Sequence, residues 1–169
     1  MDGTQESEVG PACGRRPSWK AITVVRIQMV REGRFPYGST AVSQSSDAAK
    51  IFQTYLAGAD REYIVLLLLD GKHRVNALNV VAVGSLTSAL VHPREVFKPA
   101  ILANAAAVIV GHNHPSGDTE PSREDRELTD RLVQAGRLLG ITVLDHVIVG
   151  EERFFSFADH HLIPNGGPQ

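Results

Sequence analysis

AAAVIVGHNHPSGDTEPSREDRELTDRLVQAGRLLGITVLDHVIV, residues 105–149, carries the reading of the fold. Ala105 to Val110 is an apolar run of buried-strand length that ends at Gly111-His112. A turn-rich loop, NHPSGDTEP, leads to Ser122. From there Leu128, Leu132, Ala135 and Leu139 recur every three or four residues, which marks one face of a helix. Gly140 suits the left-handed position that ends such a helix. ITVLDHVIV then alternates and is β-branched, so it reads as the next strand.

Working outward, Tyr63 to Leu69 is apolar on both faces, as in a central strand. Asp70-Gly71 is a hairpin signal, and RVNALNVVAVG supplies the return strand. A helix is expected around His92 to Asn104; Pro99 either kinks it or makes it start later than His92. Ser46 offers a cap for AAKIFQTYL, where Ile51, Tyr55 and Leu56 are helically spaced. ITVVRIQMV, residues 22–30, reads as a first strand, RFPYGSTAVSQSS as a loop, and RFFSF as a final short strand. Strands alternate with helices but hairpins also occur. The expected fold is therefore a mixed sheet flanked by helices, α/β or α+β. Residues 1–18 and 163–169 read as tails around one domain, 19–162.

The 169 residues suit one domain, and a chain of ~150 residues buries roughly 68–70% of its unfolded surface without a disulfide framework. The single cysteine, Cys13, excludes an internal disulfide and a multi-cysteine zinc cluster. Seventeen basic against 19 acidic residues give a net charge of -2, without the basic excess usual in nucleic-acid binders. The longest apolar run, Ile64 to Leu69, falls far short of the about 20 residues of a spanning helix. MDGTQESEVGPACGRR has no apolar core of the signal-peptide kind. A cytoplasmic protein is the expectation.

His112 and His114 are two apart at a strand end, and residues i and i+2 of an extended chain point to one side. Both imidazoles can then reach one metal ion. Asp125, eleven residues beyond His114 in the first turn of the next helix, can supply a third donor. Three protein donors with one open position are the catalytic arrangement of zinc. Each residue has a plainer reading too. Ser122 and Asp125 also form S-x-x-D, a helix capping box; a carboxylate that caps the helix competes with one that binds metal. The contiguous His-Asn-His string does not suit an HNH nuclease, whose histidines are spread over a hairpin and a helix.

HNHPSGDTEPSRED, residues 112–125, fits H-x-H-x7-S-x2-D throughout and resembles the JAMM (MPN-type) zinc metalloproteases. VHPREVFKPAILANAAAVIVGHNHPSG and RLVQAGRLLGITVLDHVIVG extend the similarity over roughly residues 45–157 and narrow it to the RadC family. The resemblance implies a JAMM/MPN-like fold with a cytidine deaminase-like three-layer arrangement. It implies one zinc ion per chain on His112, His114 and Asp125, and an upstream glutamate that activates water. Glu95 in HPRE matches that glutamate best; Glu62, just before a central strand, is the second candidate. Ser122 would steady the developing oxyanion. Asn113 stands where JAMM proteases of the ubiquitin system usually have Ser or Thr, and asparagine is what RadC-type sequences show. Full-length RadC proteins usually carry an N-terminal helix-hairpin-helix region. None is read here, so a short form is expected.

Three functions follow from the resemblance. The first is zinc-dependent hydrolysis of peptide or isopeptide bonds, with a peptide or protein as substrate. The second is an accessory role in DNA repair or recombination with a non-catalytic metal, where nucleic acid enters by family association only. The third is a purely structural metal. Retention of every expected ligand and the lack of basic excess favour the first. No membrane partner is expected; exposed strand edges could support a homodimer.

Overall fold

The computed structural model describes residues 22–38, 41–84 and 91–164. Its order is α1 (Ser45–Tyr55), β1 (Tyr63–Leu69), β2 (Val75–Val83), α2 (Pro93–Leu102), β3 (Ala107–Asn113), α3 (Arg123–Leu139), β4 (Thr142–Val149) and β5 (Phe154–Ser156). The five strands form one mixed sheet in the order β2-β1-β3-β4-β5. β1 runs antiparallel to both β2 and β3, β3 and β4 are parallel, and β5 returns antiparallel on β4. α3 is thus the crossover of the β3-α3-β4 unit, the connection that parallel neighbours require.

The strict alternation in β1 builds two cores. Ile64, Leu66 and Leu68 join Val108 and Val110 of β3 under Val96, Phe97 and Ala100 of α2 and Leu128, Leu132 and Val133 of α3. Val65, Leu67 and Leu69 join Ala107 and Ile109 on the opposite face, under Ala48, Ala49, Ile51 and Phe52 of α1. The result is three layers, with the sheet between α1 and the α2/α3 pair. This is the expected mixed sheet flanked by helices. At Gly111 the α1 layer comes closest: a Cβ there would meet the Phe52 ring at 2.6 Å. Glycine is what lets α1 seat beneath β3 just before His112.

Several boundaries differ from the sequence reading. Residues 22–30 form no strand; Ile22 and Val24 are 91% and 95% exposed. Strand propensity there finds no partner ladder, and an unpaired extended segment has no hydrogen bonds to hold it as a strand. α1 begins at Ser45 rather than after Ser46, because Asp47 accepts the backbone N–H groups of Ser43 and Gln44 and draws the start back. α2 contains Pro99 and starts at Pro93, directly after His92, whose Nδ1 accepts from Arg94 N–H. β3 runs two residues past Gly111, through Asn113. Gly140 takes the left-handed conformation, φ 68°, at the end of α3. Among the described residues, no helix is long and apolar enough to cross a membrane. The expected tail at residues 1–18, with Cys13, lies outside the described residues, as do residues 165–169 of the second tail.

Candidate metal centre

His112 continues the Val108–Val110 alternation and projects toward α3, and His114 follows on the same side. Their Nε2 atoms are 2.9 Å apart. Asp125, in the first turn of α3, brings Oδ1 to 3.3 Å from His112 Nε2 and Oδ2 to 3.5 Å from His114 Nε2. Metal–ligand bonds of about 2.0–2.1 Å in a tetrahedron place neighbouring donors about 3.3 Å apart. The three separations bracket that edge.

At Asp125 the cap occupies Oδ2, which also lies 3.5 Å from His114 Nε2, and leaves Oδ1 outside the capping box. Oδ2 accepts the backbone N–H (2.8 Å) and the hydroxyl (2.6 Å) of Ser122, while Ser122 Oγ accepts Asp125 N–H at 3.1 Å. Oδ1 faces His112. The Ser122 hydroxyl, expected to steady an oxyanion, is directed at Asp125 in this structure. A serine hydroxyl has one proton, and here it is given to Asp125.

The tautomers of both histidines follow from their partners. Thr129 Oγ1 lies 2.7 Å from the Asp125 carbonyl, which can only accept, so the hydroxyl donates there. It can then only accept from His146 Nδ1, also 2.7 Å away. His146 Nε2 is left as an acceptor for His112 Nδ1–H at 2.8 Å. That relay leaves the His112 Nε2 lone pair facing His114. His114 Nδ1 donates to the Asp118 carbonyl at 2.7 Å, which frees its own Nε2 in the same way. Two lone pairs at 2.9 Å with a carboxylate beside them repel unless a positive centre sits among them, either a proton or a metal ion. The donors present therefore fit a metal.

The electrostatics agree. Burial pushes the His112 imidazole well below its ordinary range, and the neighbouring His146 adds to this. Burial likewise lowers His146, to about 4, so both stay neutral. His114 is raised, chiefly by the Asp125 carboxylate, with burial opposing and the Asp118 carbonyl and Glu62 assisting. Burial would raise Asp125, but His114, His112 and Ser122 outweigh it and hold it well below the usual carboxylate range. Next along β4, Asp145 faces the other way and is raised to about 6 by burial, although Ser156, Ala158 and His146 N–H all donate to it.

The structure places the two candidate glutamates differently: Glu62 lies near the histidines, and Glu95 is paired on its own helix. Glu95 sits in the first turn of α2, its side chain 40% exposed, with Lys98 Nζ at 2.7 Å and Arg94 Nε at 3.2 Å. It is not among the donors gathered with the histidines. The His-Pro-Arg-Glu phrase forms a helix start: a histidine cap, a proline at N1 and an acidic first turn. Glu62, 9% exposed, is the carboxylate that comes near, with one donor atom from each of Glu62, His112 and His114 within 4.8 Å of one another. His146 joins as the buried partner of His112, and its signal was the Asp145-His146 pair within a strand.

Residues 42–162 match the family described as a RadC-like JAB domain. The chain belongs to the RadC family. Curated relatives are close in sequence: a UPF0758 protein of Rubrobacter xylanophilus is 51% identical over 126 residues, 75% of this chain and 55% of the relative. One from Trichlorobacter lovleyi is 55% identical over 103 residues, 61% of this chain and 45% of the relative. One from Moorella thermoacetica is 45% identical over 133 residues, 79% of this chain and 58% of the relative. This RadC chain thus spans about half the length of the curated relatives it matches. The matched region contains every residue of the candidate centre, from Glu62 to His146.

Proposed function

We propose that this RadC domain is a zinc-dependent hydrolase of peptide or isopeptide bonds, with Glu62 as the proton-transfer group. The observation that carries the reading is the convergence of two Nε2 lone pairs and Asp125 Oδ1 beside a buried glutamate. Two nitrogens and one oxygen suit zinc; magnesium prefers an all-oxygen octahedron. His112, His114 and Asp125 would hold the ion and leave a fourth position open. When bound, zinc supplies Lewis acidity, which lowers the pKa of water toward about 7 and polarises a carbonyl.

The chain's own residues supply the rest. Glu62 takes a proton from water and returns it to the leaving amine, a role that needs a carboxylate within hydrogen-bond reach. The His146–Thr129 relay holds the His112 ring in the tautomer that offers Nε2. Ser122 holds the Asp125 carboxylate at the helix start, so that Oδ1 stays turned to His112. The substrate is a peptide or protein segment carrying the amide.

The reading is tested on a panel of peptide and isopeptide substrates, assayed with the zinc-loaded chain and after chelation. Cleavage that disappears on chelation and returns with added zinc is expected. Cleavage that survives full removal of metal would exclude a metal-dependent route.

A further inference from the structure

Asn113, the residue between the two histidines, points to a task separate from metal binding. Its Oδ1 accepts the backbone N–H of Tyr63 at 2.9 Å, and its Nδ2 donates to the backbone carbonyl of Arg61 at 2.9 Å. Those two groups flank Glu62. On an extended strand, the carbonyl of one residue and the N–H two positions on lie along the same edge. In an antiparallel ladder the neighbouring strand would normally take both with backbone N–H and C=O groups of its own.

The β1–β3 ladder runs from Leu69↔Ala107 to Ile64↔His112. Past that pair the Asn113 side chain takes over the pairing. On the other edge, Gly84 N–H donates to the Glu62 carbonyl at 2.9 Å, from the end of β2. The Glu62 backbone is thus tied on both sides, and its side chain shares the α3 face with Ile64, two residues on.

We infer that Asn113 is a positioning residue, a side-chain clamp that fixes the backbone around Glu62 and thereby aims its carboxylate at the metal centre. A primary amide offers an acceptor and a donor side by side in one plane. Aspartate would keep the bond to Tyr63 N–H but turn a second acceptor on the Arg61 carbonyl. A hydroxyl residue has one proton and a shorter reach, and cannot span both groups. The assignment rests on Glu62 being the proton-transfer group, but the clamp itself can be read independently of activity.

The test compares the zinc-loaded full chain with Asn113→Ala and Asn113→Asp, by amide hydrogen exchange and by kinetics. In Asn113→Ala, exchange at the Tyr63 amide should rise roughly fivefold, the effect of losing one hydrogen bond. The central β1 amides of Leu66 to Leu68 should not change. Zinc stoichiometry should stay at one. On a cleaved substrate kcat should fall about a hundredfold, as a displacement near 1 Å can cause, with KM within about twofold. Asn113→Asp should keep Tyr63 protected yet lose kcat, because half the clamp repels Arg61; it also serves if the alanine variant folds poorly. Unchanged Tyr63 exchange in Asn113→Ala, or unchanged kcat in both variants, overturns the inference. A wild-type chain that cleaves nothing removes the hydrolase reading, while Tyr63 exchange still decides the clamp.

Discussion

Glu62→Gln should lower kcat by about 10²–10⁴-fold, the range for a lost proton-transfer group, and leave one zinc per chain in place. Glutamine keeps the size of the side chain and its capacity to hydrogen-bond, but cannot take a proton at neutral pH. Glu62 is 9% exposed and lies within 4.8 Å of donor atoms on both histidines. The change therefore acts at the centre, not through the surface. The informative comparison is Glu95→Gln, which should change kcat less than twofold, within the small effect of altering an exposed ion pair. Glu95 already gives both oxygens to cations on its own helix, Lys98 and Arg94. Steady-state kinetics beside zinc analysis separate the two. A Glu62→Gln chain as active as the parent would move the proton transfer elsewhere.

Thr129→Val should weaken zinc binding about 10–100-fold, the usual effect of removing a group that orients a metal-bound histidine. Valine matches threonine in shape, so the cavity does not change. What disappears is the hydroxyl that gives its proton to the Asp125 carbonyl and receives one from His146 Nδ1. Without it, His146 is no longer held with Nε2 as the acceptor. His112 is then free to present a protonated Nε2 to the site, and binding metal must first reverse that tautomer. Thr129→Ser restores the hydroxyl and should restore most of the affinity. Competition against a chelator of known affinity gives the measurement. Equal zinc affinity in Thr129→Val and the parent would show that the relay does not set the His112 tautomer.

Much of the layout could be read from local pattern, because each legible feature depends on few residues. Tyr63–Leu69 is apolar at every position, which only a strand covered on both faces tolerates, and the structure covers it with α1 on one side and α2/α3 on the other. His112 and His114 converge because side-chain direction repeats every two residues of a strand. The capping box at Ser122 places Asp125 in the first turn of α3, and from there its two oxygens approach the two histidines.

What the sequence concealed depends on pairing between distant segments. Glu62 nears His114 only because β1 and β3 pair with Ile64 opposite His112, and no local pattern states that register. Glu95 drew attention through a phrase whose residues serve to start α2. Which of Asp145 and His146 turns toward α3 is likewise set by pairing. The β3–β4 ladder slips by one residue between the pairs Val108↔Val143 and Ile109↔Asp145. Plain alternation from Val143 would turn Asp145 toward α3; the irregularity turns His146 there instead, as bulges commonly re-aim side chains. Residues 22–30 show the converse. Their composition favours a strand, but a strand exists only when a neighbour pairs with it.

The central claim is that His112, His114 and Asp125 together hold one metal ion. Zinc content after equilibrium dialysis, measured on the parent chain and on His114→Ala, tests it most directly. One zinc per parent chain and essentially none in a folded His114→Ala chain is the predicted result. Equal zinc in the two proteins, or none in the parent, would contradict it.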